Sequence, residues 1–102
     1  MKPSIDCQAE LRRMEEACRQ TRRQLDTIER QIIRRMTALI PSLGRRKRGY
    51  HRGRPPELGA FLTRYRSNLA AITAERQPEI DALTRKLIRQ QSAIAALQEK
   101  AP

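Results

Sequence analysis

The stretch LRRMEEACRQTRRQLDTIERQIIRRMTAL, residues 11–39, decides how this chain folds. Leu11, Met14, Cys18, Thr21, Leu25, Ile28, Ile32, Arg35 and Leu39 recur at alternating spacings of three and four. Successive residues advance about 100° around a helix, so this spacing lays them on one stripe. The repeat is that of a coiled-coil seam, with Leu11, Cys18, Leu25, Ile32 and Leu39 at a and Met14, Thr21, Ile28 and Arg35 at d. Toward the end Met36, Ile40 and Leu43 take over from Arg35, which predicts a rotation of the seam. The pattern predicts a first helix over 5–40, capped by Asp6 or Ser4, with acids early and arginines late as the helix dipole favours. Pro41 and Gly44 are its expected stop.

The outer face of this arm carries Arg12, Arg13, Arg19, Arg23, Arg30 and Arg34. Nine bases face six acids in residues 1–43, so a solvated exterior fits better than a phosphate-tracking stripe. Pairs such as Glu15 with Arg19 and Asp26 with Arg30 have the i,i+4 spacing for it.

A second arm is expected over 57–99. Pro56 suits a first helical turn, and Glu57 suits the positive end of the helix dipole. Leu58, Leu62, Tyr65, Leu69 and Ile72 form one apolar run, and Ile80, Leu83, Leu87, Ile94 and Leu97 another in a shifted phase. Pro78 sits where the phase changes and predicts a kink or a break, since proline removes one backbone donor and crowds the preceding turn. Two seams of similar length predict an all-α chain, an antiparallel helical hairpin or coiled coil forming a single domain. So slender a hairpin has little core, which predicts a homodimer or a docked partner.

Between the arms lies GRRKRGYHRGRPPE, residues 44–57, with six of the chain's twenty-two cationic side chains and no acid before Glu57. Gly44, Gly49, Gly53, Pro55 and Pro56 predict an irregular basic loop over 41–56 at the hairpin tip. A net charge of +11 on 102 residues favours a polyanionic partner, nucleic acid before a membrane surface. Three aromatics and no Trp argue against a single-strand stacking platform, with Tyr50 as its only candidate.

Cys7 and Cys18 lie about three helical turns apart, too far along one helix to bond each other, so free thiols in a reducing, cytoplasmic setting are expected. No apolar run approaches a membrane span. His51 lies in the basic loop, no nucleophile–base spacing stands out, and Cys7, Cys18 and His51 make no metal pattern. GRRKRG lacks the ordered glycines and terminal GK[ST] of a phosphate-binding loop. A non-enzymatic protein without cofactor or metal is the expectation.

Arg52-Gly53-Arg54-Pro55 resembles the core of the AT-hook proteins over about ten residues of chain. The resemblance implies that Arg52 and Arg54 lie along the floor of a narrow A·T minor groove, that Gly53 permits close backbone approach, and that Pro55 leads the chain out. Independently of the family, a narrow A-tract groove has enhanced negative potential that attracts arginine, and the guanine amino group obstructs an extended backbone there. Arg45, Arg46, Lys47 and Arg48 are placed to clamp flanking phosphates. The sequence departs from the family in that Pro56-Glu57, not a further base, follows the core. The Gly-Arg-Pro segment is also similar to the minor-groove arm of serine recombinases, though no helix-turn-helix follows.

The expected function is a duplex-DNA-binding accessory protein that works with a larger DNA-processing protein. Plasmid mobilisation leads the candidate processes, followed by partition, recombination and repression. The competing expectation is a coiled-coil adaptor or inhibitor, or an RNA-binding hairpin, whose basic loop grips an acidic partner.

Overall fold

The computed structural model describes residues 5–44 and 58–100. All of them are helical: α1 spans Ile5–Gly44 and α2 spans Leu58–Lys100. The two helices pack against each other, which is the all-α helical hairpin the periodicity predicts. The chain divides into two compact units. Unit 1 joins Met1–Ile28 with Pro78–Pro102, and unit 2 is Glu29–Gln77.

In unit 2 the helices run antiparallel, because partners descend along α2 as they ascend along α1. Gln31 Oε1 accepts from Arg76 Nη1 at 2.8 Å, and Arg35 Nη1 donates to Glu75 Oε2 at 2.7 Å. Arg64 Nη2 then donates to the Leu43 carbonyl at 2.8 Å. The core consists of Ile32, Met36, Leu43 and Ile72, all buried. The rotation expected in α1 is present: Met36 is buried, whereas Arg35 turns outward to pair with Glu75. Ile40 does not join the core and is 41% exposed, since Leu39 and Leu43 keep the three-four alternation after Met36. Spacings of four twice in succession, Ile28–Ile32–Met36, make a stutter, which locally unwinds a left-handed supercoil. In α2, Ile72, Arg76 and Ile80 repeat the double step of four, which is the phase change seen in the sequence.

In unit 1, Cys18, Thr21 and Ile28 are buried on α1, with Leu11, Met14 and Leu25 half-buried beside them. From α2, Ile80, Leu83, Leu87, Ile94 and Leu97 are half-buried on the stripe predicted for them. Two polar residues sit on these seams. Thr21 Oγ1 donates to the Ala17 carbonyl of its own helix at 3.1 Å. Gln90 Oε1 is buried without a hydrogen-bond partner. A buried acceptor without a partner costs on the order of 1–3 kcal/mol. Gln90→Leu is therefore expected to raise the melting temperature, by about 1 kcal/mol or more of added stability, as read by thermal denaturation.

Of the two prolines inside helices, Pro41 differs from expectation, whereas Pro78 lies within one continuous helix, one of the two outcomes expected there. Pro41 does not stop α1, which continues through it to Gly44. Proline at 41 cannot donate to the Thr37 carbonyl, but tertiary contacts hold the final turn. Leu43 is buried, and its carbonyl is capped by Arg64 from α2. That guanidinium also supplies the positive charge favoured at a helix C-terminus, where α1 itself has no base in its last turn. Pro78 does not break α2, which runs as one helix from Leu58 to Lys100. Pro78 and Ala74, whose carbonyl loses its donor, are both exposed, so water can satisfy that carbonyl. The boundary between the compact units falls at Pro78. Leu58, assigned to the seam from its spacing, is 70% exposed, whereas Leu62 and Tyr65 of the same run are half-buried.

Candidate nucleic-acid interface

Arg45, Arg46, Lys47, Arg48, Arg52, Gly53, Arg54 and Pro55, together with the expected helix start at Pro56 and Glu57, lie outside the described residues. The helices define where this segment must leave and return. It leaves after Gly44, one residue beyond the carbonyl that Arg64 holds, and returns at Leu58, six residues before Arg64. Six helical residues rise about 9 Å, so both ends of the basic segment are at the same end of unit 2. Near that end Phe61 and Tyr65 stack with ring centroids 6.3 Å apart and planes at 29°. Burial of Leu43, the Arg64 bond and the ring pair together make the end of the hairpin a firm base.

The two units differ in charge. Unit 2 carries twelve bases against three acids, and unit 1 ten against eight. The excess does not come from the tip alone. The described residues of unit 2 hold six bases and two acids, Glu29 and Glu75. Each arm contributes one segment to each unit, so the imbalance lies between the units and not between the arms.

The ion pairs anticipated on the α1 exterior are not the ones formed. Arg19 pairs with Glu16 rather than Glu15, through Nη2 at 2.7 Å and Nε at 3.0 Å. Arg23 Nη2 reaches the other oxygen of the same carboxylate at 3.0 Å. The Arg19 bond, followed by the Arg23 bond, holds the Glu16 carboxyl below its ordinary range. A carboxyl lowered on folding contributes stability that is present above its ordinary value and lost as pH falls through the lowered one. Arg30 does not pair with Asp26, and neither Arg30 nor Arg34 has a carboxylate partner among the described residues. Both are exposed.

One flank of unit 2 is apolar. Ile33 and Ile40 are 55% and 41% exposed and lie on the side of α1 away from Arg35. On α2 an open groove of about 400 Å³ is lined by Arg66, Leu69, Ala70, Thr73, Ala74 and Gln77. At about 100° per residue, Leu69 and Thr73 lie on the side of α2 away from Glu75. Since Arg35 and Glu75 meet on one flank, Leu69 and Thr73 share the other with Ile33 and Ile40.

Among the described residues there is no cluster of three His, Cys, Asp or Glu able to hold a metal. No described helix is long and apolar enough to cross a membrane. Cys18 is buried and Cys7 half-buried, and neither forms a disulfide. Comparison of the chain with protein-family models, curated proteins and solved structures gives no match.

Proposed function

We propose that the protein is a non-enzymatic, duplex-DNA-binding accessory protein that presents its basic segment from the end of a helical hairpin. The observation that carries this reading is the concentration of positive charge in unit 2, at the end from which residues 45–57 emerge. Arg45, Arg46, Lys47 and Arg48 clamp phosphates, and Arg52, Gly53 and Arg54 enter an A·T minor groove, with Pro55 turning the chain out. The process served is assembly of a nucleoprotein complex around a larger DNA-processing protein, with plasmid mobilisation placed first, in a cytoplasmic setting. A homodimer fits the apolar flank of unit 2, where Ile33 and Ile40 stand beside the Leu69–Thr73 groove and a second copy can cover them. Two tips would then add avidity on correctly spaced sites.

Titration of A·T-rich and G·C-rich duplexes with wild type and Arg54→Ala tests the reading. Arg54→Ala is expected to weaken A·T-rich binding more than G·C-rich binding. Equal loss on both removes the groove contact and leaves phosphate contact alone. An adaptor or RNA-binding hairpin predicts instead tight binding to a protein or RNA, with no duplex binding at low salt.

A further inference from the structure

We propose that Arg30 and Arg34 form a second phosphate-contacting patch, so that a bound duplex follows the outer face of α1 away from the tip. This rests on the duplex-binding reading above and extends it to residues whose positions are described. Arg30 and Arg34 are one helical turn apart, exposed, and within unit 2. At about 1.5 Å per residue they stand roughly 15–21 Å from Gly44 along the helix, within the span of a duplex engaged at the tip.

Of the arginines that α1 contributes to unit 2, Arg30, Arg34 and Arg35, the distribution of carboxylates among the described residues leaves the first two unpaired. Arg66 of α2 is also exposed without a carboxylate partner among them, but it stands on the other helix. Glu16 occupies Arg19 and Arg23, which belong to unit 1, and Glu75 occupies Arg35. Arg64 is spent on the Leu43 carbonyl. Arg30 and Arg34 face away from the seam and hold no carboxylate among the described residues, so neither must break an ion pair to meet a phosphate. Arg19 and Arg23 would have to leave Glu16 first. The positive excess of unit 2 outside the tip gives the patch an attractive field of its own.

The test compares two double variants of the full chain that remove the same charge. Arg30→Gln with Arg34→Gln alters the patch. Arg85→Gln with Arg89→Gln alters an exposed pair of identical spacing in unit 1. Duplex affinity is measured across a salt series, with helicity checked by circular dichroism. Each phosphate contact contributes about 0.9 to the slope of log affinity against log salt, so the first variant is expected to flatten the slope by about 1.8 and the second to leave it unchanged. Equal flattening by both would show a general charge effect and overturn the patch. No flattening by either, with wild-type binding still steeply salt-dependent, overturns the patch and leaves the tip reading standing. Wild type that binds polyglutamate but no duplex at low salt overturns the duplex reading, and the patch with it.

Discussion

Changing Arg45, Arg46, Lys47 and Arg48 together to glutamine is expected to flatten the salt dependence of duplex binding by about 3.6, at about 0.9 per contact. The effect is large because these charges are adjacent and the segment holds no acid before Glu57 to offset them. Neutralising a phosphate releases condensed counterions, and that release is what raised salt opposes. Fluorescence anisotropy on a labelled duplex between about 50 and 200 mM salt covers the range in which such slopes are read. Helicity should be unchanged, since α1 ends at Gly44 and α2 begins at Leu58. A variant with the wild-type slope but uniformly lower affinity would show that the cluster does not neutralise phosphates. The preference for A·T-rich duplex should survive in this variant, because Arg52 and Arg54 remain.

Met36→Ala is expected to destabilise the protein by about 2–5 kcal/mol, the cost of deleting a large buried side chain and leaving a cavity. Met36 is 2% exposed and is among the largest fully buried side chains of the described residues. Domain stabilities are about 5–15 kcal/mol, so this loss is a substantial fraction of the total. For a domain of this size it corresponds to a fall in melting temperature of about 8 °C or more. Ile33→Ala, at a position 55% exposed, is expected to stay within about 0.5 kcal/mol for an isolated chain. The pair separates seam from flank. If Ile33→Ala instead lowers the melting temperature in a way that depends on protein concentration, the flank is covered by a second copy. Comparable shifts from both variants at every concentration would mean that the seam is wrongly assigned.

Much of the helical scaffold is legible from spacing, because a seam imposes a period that local sequence must carry. Leu11 through Ile32 are on the face that the heptad assigns, and Arg35 gives way to Met36 where the pattern suggests. Pro41 is misread for one reason. Its cost is local and visible in sequence, whereas what offsets it is not. Arg64 lies twenty-one residues from Leu43, and nothing in its neighbourhood marks it as the cap of another helix. The choice of Glu16 over Glu15 is hidden for a related reason, since both lie within reach of Arg19 and it is Glu16 that also takes Arg23. The exposed positions Leu58 and Ile40 show the limit of counting spacings near a helix end, where neighbouring apolar residues compete for the seam.

Residues 11–39 determined by themselves that the chain is built on a helical seam, since a three-four apolar spacing is satisfied only by a helix with a partner along one stripe. Composition likewise determined the excess of positive charge and placed the densest part of it between the arms. The tertiary structure alone decided that α1 passes through Pro41, that α2 passes through Pro78, and which arginines are left without a carboxylate. Those outcomes depend on which side chain from one helix lies opposite a given turn of the other. Antiparallel pairing brings together residues forty-five positions apart in Gln31 and Arg76, and still farther apart in unit 1, and no local period records that register.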